Sequence, residues 1–223
     1  MLGKIIVIEG LDGSGKETQT NLLKEKLNAL GLNVTKVSFP DYDSQSSALV
    51  KMYLQGEIQK SLEDVNAYAA SSFYSADRYI SYKTKWEQDY LKGNIILSDR
   101  YTTSNAIYQL TKITQNEKED YLQWLYDYEY VKLGIPKPDY VIYLDVPTEV
   151  SQNLMNKRYN GDNSKKDIHE QDVDFLSKCR SQALIVVDKW NWDLINCTNG
   201  KEMRSIEEIH EEICSKVKRF LGV

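Results

Sequence analysis

Short apolar runs alternate along the chain with longer segments in which apolar residues recur every three or four positions. That alternation predicts a parallel β-sheet whose strands are joined by crossover helices. The first run, Lys4-Ile5-Ile6-Val7-Ile8-Glu9, is continuous and β-branched, as a strand buried on both faces should be. Leu22, Leu23, Leu27 and Leu30 then trace one stripe of a helix that stops at Gly31. Asn33 to Phe39 reads as a second strand, ended by Pro40. Asn94 to Ser98 reads as a third strand, Asp139 to Asp145 as a fourth and Trp192 to Cys197 as a fifth. A tyrosine-rich helical stretch runs from Leu62 to Lys92 and closes at Gly93. The last helix, Ile206 to Leu221, carries apolar residues at 206, 209, 213, 217 and 220. The expected architecture is α/β, with a central five-stranded parallel sheet.

Composition narrows the possibilities. At 223 residues and 41% hydrophobic, the expectation is one domain, 1–223, with its own core rather than a disordered chain. No run of about eighteen apolar residues occurs, which argues against a membrane span. Met1 to Glu9 enters a strand-like run at once, without a charged n-region or cleavage site, so the expectation is a cytoplasmic protein. The net charge of −5, from 33 acids and 28 bases, argues against nucleic acid as a partner but not against a small anionic ligand. Cys179, Cys197 and Cys214 form no CxxC, and His169 and His210 lie far from any such pair, so neither a zinc site nor a disulfide frame is expected. Sixteen tyrosines against four phenylalanines point to half-wet helix faces or a polar aromatic pocket.

The chemistry begins at Gly10-Leu11-Asp12-Gly13-Ser14-Gly15-Lys16, between the first strand and the first helix. This is the G-x-x-x-x-G-K core of a phosphate-binding P-loop in its strand–loop–helix setting. Glycines let successive backbone N–H groups curl round phosphate oxygens, the helix N-terminus adds partial positive charge, and the lysine reaches the terminal phosphates. The residue after the lysine departs from the motif: Glu17 stands where a Ser or Thr hydroxyl usually ligates Mg²⁺. Thr18 is no substitute, because one step along a helix turns the side chain by roughly 100°. Either the Glu17 carboxylate holds Mg²⁺ as a hard oxygen ligand, or it repels the polyphosphate and impairs catalysis.

Four blocks in order resemble the thymidylate kinase family: the P-loop from Ile8 to Gln19, Phe39-Pro40, Phe73-Tyr74-Ser75-Ala76-Asp77-Arg78, and Asp99-Arg100-Tyr101 with Ser104 and Tyr108-Gln109. Ile107 stands where alanine is usual in the last block, and Asp167 to Glu170 (DIHE) is similar to the D-x-x-E that closes the family's lid. The resemblance implies a three-layer P-loop NTPase fold, with ATP as donor, dTMP as acceptor, Mg²⁺ as cofactor and a homodimer as the assembly. It implies that Gly10 to Thr18 bind ATP and that Lys16, Asp99, Arg100 and Arg158 are catalytic. It also implies an acceptor site of Asp12, Phe39, Tyr74, Arg78, Arg100, Ser104, Tyr108 and Gln109, with Glu17 and Asp99 near the metal. Tyr74 and Arg78, four apart, share one helix face. Spacing alone also allows a core tyrosine beside a surface arginine, and a structural ion pair for Asp99-Arg100.

Position 13 is glycine, so the resemblance implies that the transition-state arginine comes from the lid, about 157–167. That stretch holds Lys157, Arg158, Lys165 and Lys166, and Arg158 is the favoured donor; a solvated charged loop is the plainer reading. After Phe39-Pro40, where many relatives place an arginine, this chain has Asp41-Tyr42-Asp43-Ser44. A kinase for a different nucleoside or nucleotide, and a nucleotide-binding regulatory protein with impaired catalysis, therefore stay open. A signalling GTPase is disfavoured for want of an N-K-x-D segment.

Overall fold

The computed structural model describes residues 2–58, 61, 64–159, 162, 167–200 and 202–223. Lys165, Lys166 and the centre of the expected lid lie outside the described residues. Five parallel strands form the central sheet in the order β2-β3-β1-β4-β5: β1 Lys4–Gly10, β2 Val34–Ser38, β3 Ile95–Asp99, β4 Tyr140–Asp145 and β5 Asp193–Asn196. The expected five-stranded parallel sheet is therefore present, with strand ends shifted by one residue or so.

The alternation along β1 sets the three layers. Ile6 and Ile8 face α1 (Lys16–Ala29) and α10 (Ile206–Leu221), packing with Leu23, Leu27, Ile209, Ile213 and Val217. Ile5 and Val7 face the other way, onto Tyr82, Trp86 and Tyr101. Each such fully buried apolar side chain contributes about 1.5–3 kcal/mol relative to exposure. Successive residues of a strand point to opposite faces, so a continuous apolar run is what a sheet covered on both sides requires. On that second face lie α3 (Ala67–Ser81), α5 (Thr103–Tyr108) and α9 (Val173–Lys189), the last two packing through Ile107, Phe175, Cys179 and Val187 on Tyr143.

The tyrosine-rich stretch from Leu62 is not one helix. The Asn66 side chain caps α3 by accepting from the Ala69 N–H at 2.8 Å, which sets its start. A π-helical turn, Tyr82–Trp86, then separates α3 from α4 (Glu87–Leu91). That widened turn seats both Tyr82 and Trp86 on the sheet, with ring centroids 4.6 Å apart. The remaining elements are α2 (Ala48–Leu54), α6 (Lys118–Tyr126), a second π-helical turn (Asp127–Lys132), α7 (Thr148–Arg158), α8 (Ile168–Gln171) and a small antiparallel hairpin, β6 (Thr198–Asn199) with β7 (Glu202–Met203). The hairpin has no counterpart in the periodicity, because each strand is two residues long.

Parallel register brings the functional segments together. Ile8 pairs with Asp99, Ser38 with Asp99, and Gly10 with Leu144, so the carboxyl ends of β1, β2, β3 and β4 share one edge. The glycine-rich loop, Phe39 and Arg100 therefore emerge side by side, where open α/β sheets bind their ligands.

Candidate active site

The loop from Gly10 to Lys16 wraps the start of α1, and Gly13 takes φ +77°, a backbone region that glycine enters without strain. A Cβ at Gly13 would come within 2.6 Å of the Ser151 carbonyl oxygen on α7. Position 13 thus has no room for a side chain, arginine included, and α7 is seated directly on the loop. Lys16 is buried; its Nζ donates to the Leu11 carbonyl at 2.7 Å and to Ser14 Oγ at 3.5 Å. Burial, joined by the Arg100 charge, lowers the lysine pKa to about 8, while Asp12, Asp99 and Glu9 pull it back up.

Glu9, fully buried at the end of β1, accepts from Thr103 Oγ1 at 2.7 Å and from Ser104 Oγ at 2.9 Å. It ties the loop to α5. Arg100 stands just past β3 with φ +63°, a strained conformation for a non-glycine residue, held by its N–H donating to the Ile8 carbonyl at 3.1 Å. Its guanidinium pairs with Asp12 and donates to the Tyr108 hydroxyl at 3.2 Å, while Tyr108 donates to Asp12 at 2.9 Å. Burial works to raise the Asp12 pKa, but Arg100, Lys16 and the Tyr108 hydroxyl outweigh it and hold the carboxyl at about 2.

Beside this triangle opens a cleft lined by aromatic rings and a few convergent polar side chains, the composition of a small-ligand site. Phe39, Tyr74, Arg78 and Tyr108 form its walls, and Ser104 and Gln109 also line it. All eight residues expected at an acceptor site thus border one space. Gln109 is 1% exposed, and its side-chain oxygen has no hydrogen-bond partner among the described residues. A buried acceptor without a donor is costly, so that oxygen is available to a ligand.

Arg78 is no surface residue. It is 1% exposed and meets Glu129 in a bidentate pair, Nε donating to Oε2 at 2.8 Å and Nη2 to Oε1. The alternative of a surface arginine is therefore excluded. Asp99 is also not paired with Arg100: its carboxyl accepts no hydrogen bond from the described residues, and burial raises its pKa despite Lys16 and Arg100 nearby. Glu17 and Thr18, on the first turn of α1, are exposed. Arg158, the last residue of α7, approaches Glu17 at 3.9 Å. Asp41 pairs with Lys85, and Tyr42 rather than a cation lines the cleft.

Three groups, one lining the cleft and two packed behind its walls, carry no role in the sequence reading. His169, dismissed as a zinc ligand and given no role of its own within the DIHE block, lies against the cleft with its ring 5.7 Å from that of Tyr108 and nearly parallel to it. Glu129 sits 51 residues beyond its partner Arg78, with no local signal to mark it. Tyr53, fully buried on α2, contacts both Tyr74 and His169.

Comparison with known proteins places this arrangement. The family model described as thymidylate kinase matches residues 8–213. The chain belongs to the thymidylate kinase family. It is 30% identical to the thymidylate kinase of Mycobacterium tuberculosis over 78% of this chain and 81% of that protein. It is 29% identical to that of Plasmodium falciparum (98% and 91%) and 30% identical to a probable thymidylate kinase of Methanobrevibacter smithii (98% and 96%). The solved thymidylate kinase of Candida albicans shares the fold, with a TM-score of 0.72 at 23% identity, covering 98% of this chain and 92% of that one. This thymidylate kinase family member is accordingly a nucleotide-binding phosphotransferase of the nucleoside monophosphate kinase class. Among the described residues, no helix is long and apolar enough to cross a membrane.

Proposed function

We propose that this chain transfers the γ-phosphoryl group of ATP to dTMP, giving dTDP and ADP, with Mg²⁺ as cofactor. The observation that carries this reading is the single cleft in which Asp12, Arg100 and Tyr108 interlock between the glycine-rich loop and the Phe39 and Tyr74 rings. ATP phosphates fit the loop amides, the start of α1 and Lys16. The acceptor lies in the cleft, its base against Tyr74 and Phe39 and its polar edge toward Arg78 and Gln109. Arg100 holds the acceptor phosphate, and Asp12, ionised at neutral pH, accepts from the sugar hydroxyl.

An acceptor phosphate oxygen forms a bond to the γ-phosphorus as the bridging bond to the β-phosphate breaks, and ADP leaves. No covalent enzyme intermediate forms; positioning and charge neutralisation supply the catalysis. Lys16, Arg100 and Arg158 are the cations that meet the developing charge, with Arg158 arriving from α7.

The donor set suits Mg²⁺. Two carboxylates, Asp99 and Glu17, lie near Lys16, and the Lys16 and Glu17 charges are both felt at Asp99. Among the described residues no group of three or more His, Cys, Asp or Glu could hold an ion. Mg²⁺ binds in such settings through one or two carboxylates, water and substrate phosphates. Held there, Mg²⁺ would supply charge neutralisation at the donor phosphates. The reading extends to a homodimer in the cytoplasm, as the resemblance implies.

The test is ADP release with ATP, with and without Mg²⁺, across a panel of nucleosides and nucleoside monophosphates. dTMP is the expected best acceptor, and Lys16→Met is expected to abolish turnover. Glu17→Ser is expected to retain Mg²⁺-dependent activity. Phosphorylation of a nucleoside but not dTMP would overturn the acceptor, and ATP binding without turnover in either form would leave a regulatory protein.

A further inference from the structure

A partly buried chain of polar groups runs up to the cleft wall at His169, and no step above uses it. Lys112, in the 3₁₀ turn that follows α5, donates its Nζ to the Tyr53 hydroxyl at 2.8 Å and to the Val65 carbonyl at 2.9 Å. The Tyr53 hydroxyl lies 3.2 Å from His169 Nε2. His169 is 4% exposed; its ring stacks on Tyr108 and rests 4.9 Å from Phe175. Tyr108 in turn donates to Asp12 and accepts from Arg100. Segments far apart in sequence, α2, the turn after α5 and the short helix α8, are thereby linked to the acceptor-holding pair.

We propose that Lys112, acting through Tyr53, is a positioning residue that fixes the His169 ring against Tyr108 and so sets the acceptor end of the cleft. The proposal rests on the reading that this cleft takes the acceptor. Stacked rings slide and rotate easily, because the contact itself is weakly directional. A hydrogen bond at a ring nitrogen removes that freedom. The four residues of α8 are too few to fix a side chain by helix packing alone, so the anchor comes from outside the element. Burial, with the Lys112 and Arg100 charges, lowers the His169 pKa to about 3 although Asp12 opposes them. The ring is therefore neutral near pH 7 and stands close to an ammonium without repulsion. Burial likewise lowers the Lys112 pKa, to about 8.

The test joins kinetics to a readout that needs no substrate. Lys112→Met, Lys112→Arg, Tyr53→Phe and the Lys112→Met/Tyr53→Phe double variant are assayed with dTMP and ATP. Ring ¹⁵N spectra of the histidines are recorded on nucleotide-free protein; the chain has only two, and His210→Gln assigns the pair. One hydrogen bond is worth about 0.5–1.5 kcal/mol, so Lys112→Met and Tyr53→Phe should each raise the acceptor KM by about two- to tenfold, with the ATP KM unchanged. The double variant should be no worse than the poorer single one, and Lys112→Arg should restore the wild-type KM. The His169 ring signals should shift in Lys112→Met and in Tyr53→Phe. Additive losses, equal changes in both KM values, or an unmoved His169 signal would each overturn the proposal. If dTMP is not the acceptor, the kinetic panel shows it in the wild type, while the spectra still test the relay. Tyr53→Phe is the milder change and keeps the test open where Lys112→Met fails to fold.

Discussion

Asp167 caps α8, its Oδ1 accepting the His169 and Glu170 N–H groups at 2.8 and 2.9 Å. Such bonds lower a carboxyl pKa, yet burial, with Asp12 nearby, pushes this one up to about 7. Desolvation wins. The folded-state pKa lies above the ordinary value, so between about pH 4 and pH 7 the folded chain binds more protons than the unfolded one, and this residue's share of stability is lost as pH rises through that window. Asp167→Asn keeps a capping oxygen and removes the titration. Thermal melts across the window should show the variant gaining on the wild type as pH rises. Glu170 and His169 also titrate abnormally, but both remain in the variant and largely cancel in the difference. A difference in Tm independent of pH would refute burial as the cause. The residue-level reading from sequence was strongest where spacing alone carries the chemistry. Gly13, Gly15 and Lys16 fall within one local turn, and Tyr74 and Arg78 within one helical turn. It could not reach Asp167's raised pKa, because burial depends on the whole fold.

Among the elements, the two π-helical turns do work that periodicity does not encode. One seats Tyr82 and Trp86 on the sheet; the other, Asp127–Lys132, turns Glu129 inward onto Arg78. A buried guanidinium needs a carboxylate, but sequence offers 33 acids and no means of choosing one. The strands were legible because apolar β-branched runs survive any tertiary context that covers both faces. The helices between Thr103 and Lys132 were not, since their stripes are short and broken by tight turns. Removing one partner of a buried pair leaves an uncompensated charge and costs about 3–5 kcal/mol. Glu129→Ala should lower the urea-denaturation free energy by about that amount. Arg78→Met with Glu129→Leu should recover much of the stability while the acceptor KM stays high, since Arg78 borders the cleft. A loss below about 1 kcal/mol for Glu129→Ala would mean that Glu129 does not hold Arg78.

At the scale of the molecule, a net charge of −5 conceals a local gathering of bases. Lys16 and Arg100, with Arg78 behind them, converge on one sheet edge, and both arginines are held close to acids that a ligand must compete with: Asp12 and Glu9 for Arg100, Glu129 for Arg78. Among the described residues, the buried polar side-chain atoms lining the cleft are therefore satisfied from within, apart from the Gln109 oxygen. An anionic ligand gains by displacing these contacts only if it replaces each one with an equal, which makes the site selective as well as attractive. Binding that exists only in the folded state stabilises by mass action. A monophosphate at a hundredfold excess over its Kd adds about 2.7 kcal/mol. For a chain of this size that corresponds to a Tm rise of about 5–10 °C. Thermal melts with dTMP should show this rise, with a further gain from ADP, because the proposed function assigns the two nucleotides to separate parts of the edge. Asp12→Asn should lose most of the dTMP shift and keep the ADP shift. A larger shift with another monophosphate would reassign the acceptor, and a shift with ADP but with no monophosphate would remove the acceptor from this cleft.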